Sequence, residues 1–283
     1  MDSLLPLGTA PHPTTGDDLA ARLRDTLQDA ARGQVHGLDQ ARIEANLDGA
    51  DVHPLDIDLT GVAVGVPTEG DTAEVPSWSP DIVSRDDAVL RTLHLDAHPL
   101  TAVDLPVDLT AELQGVRFAW VAAADGSVGV ELVEPSEDSP VTGSARLAVS
   151  REGLAGTVRG LLTVALAGNG VQLTGFDLQI DQTGPRDAAI AIEASIKKGM
   201  FLSAKINATA SAAVDSEMVL TVGDVQLSSG NPIVAALLGA VKGRAEAVAG
   251  QRIDLAEALP PGVRLTDVRL DVGDEVVVSA ELG

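Results

Sequence analysis

VDLTAELQGVRFAWV, residues 107–121, and IDLAEALPPGVRLTDV, residues 253–268, are two versions of one block. Gly115 aligns with Gly262, Val116-Arg117 with Val263-Arg264, and Asp125-Gly126 with Val272-Gly273. One residue of slack, Pro260-Pro261 against Gln114, brings Val107-Asp108-Leu109 onto Ile253-Asp254-Leu255. The run into the first copy places Val103, Leu105, Val107, Leu109, Ala111 and Leu113 at alternate positions, the period of a strand with one buried face. Pro106 within it suggests an edge or a bulge, and Asp125-Gly126 is a hairpin turn. The copies lie about half a chain apart, which suggests an internal repeat over approximately 17–135 and 144–283.

Outward from the block, the remaining chain is mostly strand-like. Ile43, Ala45 and Leu47 alternate with polar residues, as do Leu55, Ile57, Leu59 and Leu93, Leu95, Ala97, and strand character continues through 62–66. Residues 67–81 read as a loop, 84–91 as a short helix capped by Ser84, and 134–143, EPSEDSPVTG, as a linker. Further strands are expected near 144–150, 157–167, 171–181, 188–197, 200–213 and 217–227, with turns at Gly168-Asn169-Gly170 and Gly184-Pro185.

Two segments carry helical spacing instead. In DDLAARLRDTLQDAARG, Leu19, Leu23 and Leu27 recur every fourth residue behind Asp17-Asp18, and Gly33 follows the end. At 231–249, Asn231 is a cap, Pro232 opens the helix, and Ile233, Val234, Leu237, Leu238, Val241, Ala245 and Val248 form a broad apolar face ahead of Gly250. These helices are unequally placed relative to the two copies. The block therefore reads as a recurring strand-turn-hairpin element within one elongated domain, 17–283, behind a flexible leader, 1–16.

Composition narrows the function. The chain is 45% hydrophobic yet only 2% aromatic, with no Tyr, so its interior is built from Val, Leu, Ile and Ala. So few rings argue against a lectin or a single-strand nucleic-acid binder. A net charge of −23, from 42 acidic against 19 basic residues, excludes the clustered basic surface that phosphate backbones require. It also weakens attraction to anionic membranes. The absence of Cys excludes disulfides and thiolate metal sites. MDSLLPLGTAPHPTTGDD has no basic region, and its apolar stretch 4–7 is short and broken by Pro6, so it does not read as a signal peptide. The apolar helical stretch 233–241 is far below the roughly 20 residues a membrane span needs. The expected location is the cytoplasm.

LSSGNPIVAALLGAVKGRAEAVAGQRIDLAEALPPGVRLTDVRLDVGDEVVVSAELG, residues 227–283, resembles the C-terminal end of the actinobacterial LmeA-type phospholipid-binding proteins. In that family a helix leads to a short strand, then Leu-Pro-x-Gly-Val, then a closing hairpin. ARIEANLDGADVHPLDIDLTGVAV, residues 41–64, occupies the place of its first strands. The resemblance covers 17–66 and 86–283, is strongest at 220–283, and rests on pattern, without an invariant chemical signature. It implies an architecture similar to the tubular lipid-binding (TULIP) proteins: a long, highly curved antiparallel sheet wrapped around two amphipathic helices, in the α+β class. It further implies an apolar groove for lipid. The chain departs from these usually exported relatives in showing no export signal.

Candidate chemistry is sparse. His94, Asp96 and His98 share one face of a strand, where two imidazoles and a carboxylate would suit zinc; a solvated polar face gives the same pattern. Asp56/Asp58, Asp17/Asp18 and Asp86/Asp87 are paired carboxylates of the kind glycosidases use, and in so acidic a chain such pairs also arise by chance. Ser228-Ser229-Gly230 could place an anion at a helix start, against ordinary capping by Asn231. Lys197-Lys198, with Lys205 nearby, could meet a lipid headgroup or simply end a strand. There is no nucleophile elbow, P-loop or dinucleotide fingerprint.

The expectation is a non-catalytic protein, with no cofactor and no metal, that binds or carries a lipid or other long apolar ligand between sheet and helices. Burial would hold such a chain at about 0.8 kcal/mol per methylene. The candidate groove residues are Leu19, Leu23, Leu27, Phe118, Trp120, Phe176, Phe201, Leu237, Leu238 and Val241. The alternative is a fully packed β-rich structural or interaction module, either a homodimer joined through sheet edges or helices or one that binds a protein partner. A metal-dependent enzyme built on His94, Asp96 and His98 is the third reading.

Overall fold

A computed structural model describes residues 4–31, 35–65, 78–102, 104–136, 138–168, 170–199, 202–223, 225–232, 234, 252–256, 259 and 263–283. The protein is mostly β-sheet with two helices among the described residues. It divides into two compact units where one elongated domain was expected: Met1–Ala148 with Leu259–Thr266 and Ser279–Gly283, and Val149–Ala258 with Asp267–Val278. The division falls at residues 148 and 149, past the expected linker; Val141, at the end of that linker, is buried.

In the first unit the elements run β1 (Leu4–Thr9), α1 (Gly16–Ala30), β2 (Val35–His36), β3 (Arg42–Asp48), β4 (Asp51–Asp58), β5 (Ala63–Val64), β6 (Ile82–Ala102), β7 (Leu105–Ala123), β8 (Ser127–Leu132) and β9 (Thr142–Ser150), the last shared with the second unit. The sheet order is β9-β7-β6-β4-β3, with β8 on β7, β1 on β8, and the short β5 and β2 along β6. The β7–β8 hairpin turns at the expected Asp125-Gly126, where the Asp125 carboxylate accepts the Ser127 N–H at 2.8 Å.

Four expectations are corrected here. Residues 4–9 of the supposed flexible leader form strand β1, which pairs antiparallel with β8. Pro6 is compatible with a strand because β1 is an edge, where a missing N–H breaks no ladder. The expected helix at 84–91 belongs to β6, whose Ala88 faces Phe118 and whose Leu90 faces Val116 across β7. Tertiary pairing overrides a weak local signal. Thirdly, β4 and β6 run parallel, Asp56 opposite His94, in a sheet read as antiparallel throughout.

The fourth correction lies in the second unit. Residues 157–167, read as a strand, belong to the helix α2 (Arg151–Ala167). Ser150 caps it, accepting the Gly153 N–H at 3.0 Å, and Leu154, Val158, Leu162 and Leu166 form its half-buried row. Three long antiparallel strands follow, β10 (Gln172–Gly184), β11 (Asp187–Lys198) and β12 (Leu202–Val214). β13 (Val219–Val222) and β14 (Gln226–Ser229) pair with β12, and β15 (Arg252–Asp254) pairs with β13. The chain ends in the expected hairpin of β16 (Leu265–Val272) and β17 (Glu275–Leu282), whose residues are divided between the units.

The expected helix at 231–249 lies outside the described residues except at its start. There Asn231 accepts the Val234 N–H at 3.4 Å, as the cap reading requires. The two copies of the repeated block take different forms. The first lies wholly within β7, whereas the second contributes β15 and part of β16, with 257, 258 and 260–262 outside the described residues.

Candidate functional site

The apolar row on α1 is the foundation of the candidate site. Thr15 starts the helix by accepting the Asp18 N–H at 3.3 Å, and Asp17 and Asp18 lie where the helix dipole favours acid. Leu19 is buried at 3% exposure, and Leu23 and Leu27 pack behind it. The facing surface is a cluster of Ile43, Val52, Leu55, Ala88, Phe118 and Trp120.

The long strands reach this cluster by changing phase. On β6, Leu90 and Leu93 both pack against it, although strict alternation would put residues three apart on opposite faces. On β7, Val116, Phe118 and Trp120 face α1, while the even-numbered Thr110 and Glu112 line a groove on a polar face. Gly115, between them, has φ +77°, a left-handed conformation that suits glycine.

Between α1 and the sheet a cavity of about 150 Å³ remains. Leu19 and Leu23 form one wall, Leu5 and Leu7 of β1 a second, and Val52, Leu55, Leu90, Val116, Phe118, Trp120, Val130 and Leu132 the floor. Every lining residue is apolar. The one polar atom among their side chains, the Trp120 indole N–H, donates to the Ala50 carbonyl at 2.9 Å. Phe118 meets Trp120 edge to face at 5.1 Å, and the His12 ring stacks on Trp120 at 5.5 Å.

The structure thus brings Leu19, Leu23, Phe118 and Trp120 together around one cavity, with Leu27 packed against the same cluster. Phe176 lies elsewhere, half-buried on β10 of the second unit. Phe201, Leu237, Leu238 and Val241 lie outside the described residues. Sequence reading missed Leu5 and Leu7, though the apolar run Leu4-Leu5-Pro6-Leu7 was a signal. It also missed Val52, Leu55, Leu90, Val116, Val130 and Leu132, which look like ordinary strand residues.

The polar face forms a groove of about 440 Å³ lined by Asp56, His94, Asp96, Glu112, Ser144 and Arg146, among others. Here His94 pairs with Asp56 at 2.6 Å, and His98 lies 3.6 Å from Asp108 and 3.8 Å from Asp96. Each imidazole of the proposed zinc triplet has its own carboxylate neighbour. Among the described residues no group of three or more His, Asp or Glu side chains is arranged to hold a metal ion. Of the paired carboxylates, Asp58 is held below the usual carboxylate range by the Thr60 hydroxyl and N–H, the opposite of what a general acid needs. Lys205 is paired with Glu193 at 2.6 Å, and the Ser229 hydroxyl donates to the Lys205 carbonyl, also at 2.6 Å.

No helix among the described residues is long and apolar enough to cross a membrane. Comparison with protein-family models, curated proteins and solved structures gives no match to this chain.

Proposed function

We propose that the protein binds an apolar ligand without catalysis, in the space between α1 and the sheet of the first unit. One observation carries the reading: a cavity of about 150 Å³ whose lining side chains are all apolar. A space of this size has room for a benzene-sized group, and its rim, where Leu5 and Leu132 are 36% and 46% exposed, reaches solvent. A lipid chain would enter by its tip, gaining about 0.8 kcal/mol for each methylene buried. The finer expectation, a TULIP-like wrapped sheet carrying a lipid in the cytoplasm, belongs to this proposal.

Thermal unfolding against benzene and a series of fatty acids of increasing length tests it. A ligand that binds only the folded state, at a hundred times its Kd, adds about 2.7 kcal/mol of stability. A midpoint that rises with benzene and with chain length is expected. An unchanged midpoint across the series, with no lipid extracted from the purified protein, would remove the proposal.

A second reading, a self-associating module, rests on a different observation. On α2, Leu161 and Val164 are 61% and 76% exposed, and no residue of that helix is fully buried. Large apolar side chains grouped on one exposed surface mark interaction sites.

A further inference from the structure

We propose that β1 is a displaceable strap: the strand Leu4–Thr9 covers one side of the apolar cavity beside α1, and its release from β8 widens that space into a groove that admits a long apolar chain. This rests on the binding reading above and adds how the site is entered. Such a step adds room: the space takes a benzene-sized group at a rim where Leu5 and Leu132 reach solvent, and burying a long chain along its length needs one wall to move.

Of the strands that line the cavity, β1 has the fewest paired positions. It pairs with β8 through Leu4–Glu131, Leu5–Val130 and Pro6–Gly129, then skips to Thr9–Ser127. Leu7, only 1% exposed, lies in the skipped stretch and lines the cavity. The other edge of β1 has no strand beside it among the described residues. Side chains of α1 hold it instead. The Thr26 hydroxyl donates to the Pro6 carbonyl at 2.7 Å, and the Arg22 guanidinium donates to the Leu7 and Thr9 carbonyls at 3.1 and 2.8 Å. Hydrogen bonds that trade readily with water hold a strand loosely. By contrast, β6 and β7 pair along nearly their whole lengths, from Ile82–Ala123 to Ala102–Leu105.

Two further features fit a strap. A groove of about 400 Å³ follows the seam between β1 and α1, so the seam is not packed solid. On the β8 side, Gly129 lets the strap lie close: a Cβ there would overlap the Leu5 carbonyl oxygen and the Trp78 ring. The strap therefore lies directly against the β8 backbone at that point, beside the Trp78 ring.

The test uses the full chain, which has no Cys to compete, carrying Leu4→Cys with Glu131→Cys. These positions are register partners, within disulfide reach in an antiparallel pair. Among the described residues the ion pair lost is Glu131 with Arg85, which is partly exposed and contributes little. Uptake of cis-parinaric acid is followed by fluorescence, and benzene binding by calorimetry, on oxidised and reduced protein. The disulfide is expected to slow cis-parinaric acid uptake at least about tenfold, reversibly, with benzene binding unchanged. Equal uptake in both states overturns the strap and leaves the binding reading standing. Uptake in neither state also overturns the strap, and benzene binding then decides the reading beneath it. Hydrogen exchange on the unmodified chain gives an independent check. Amides of 4–9 are expected to exchange at least about a hundredfold faster than those of β6 and β7, and exchange in step with them overturns the strap.

Discussion

The indole N–H of Trp120 donates to the carbonyl oxygen of Ala50 at 2.9 Å, which ties β7 to the turn between β3 and β4. Trp120 is 2% exposed and sits edge to face with Phe118. Its one polar atom is satisfied at the rim, so the ring can offer a purely apolar surface to the cavity.

Trp120→Phe removes that hydrogen bond while keeping an aromatic ring. The Ala50 carbonyl loses its partner and the cavity grows. Stability is expected to fall by about 1–3 kcal/mol, read from urea unfolding. The enlarged cavity should accept bulkier aromatics than benzene. A variant as stable as the parent would mean that the indole bond contributes nothing.

Leu23→Ala separates a binding wall from a packed core. Leu23 lines the cavity from α1 and is only half-buried, so its loss should cost about 2 kcal/mol, the low end for a core leucine. Under the binding reading, benzene recovers part of that loss by refilling the space. If the variant is destabilised and benzene restores nothing, this face of α1 is core alone.

Acid should weaken the junction of β4 and β6. Asp51 pairs with Arg91 at 2.8 Å and accepts the Val89 N–H at 2.9 Å. The Arg91 guanidinium and the Val89 N–H hold its carboxyl below the ordinary range. A depressed folded-state pKa adds stability that is present above the unfolded value and is lost as pH falls through the folded one. The Asp51→Asn variant should therefore be less stable than the parent at neutral pH and equal to it in strong acid. Urea midpoints measured across that range decide it, and a deficit independent of pH would show that the charge is irrelevant.

How much of this was legible depends on whether a signal was local. α1 could be read because Asp17, Asp18 and the Leu19, Leu23, Leu27 row all lie within the helix itself. β1 could not, because what makes 4–9 a strand is β8, more than a hundred residues away, and Pro6 reads as a breaker when its edge position is unknown. α2 was hidden by its composition: Val158, Leu161, Leu162, Val164 and Leu166 fit either period over so short a run. Phe118 and Trp120 were found by their rarity as rings. Val52, Leu55 and Leu90 became cavity floor only through the parallel pairing of β4 with β6 and the change of phase near Gly115, neither of which is written in the alternation.

Leu161→Glu tests the self-association reading. Leu161 is 61% exposed on α2, so the substitution should alter stability by no more than about 0.5 kcal/mol. If α2 is where two copies meet, sedimentation of the parent shows a concentration-dependent dimer and the variant stays monomeric. Salt sharpens the result. Two copies each carrying a net charge of −23 repel one another, and that repulsion is screened once the Debye length falls below their separation. Association through an apolar face should therefore strengthen as salt is added, whereas a dimer held by ion pairs would weaken. A parent monomeric at every salt and protein concentration removes the reading and leaves the cavity beside α1 as the site to pursue.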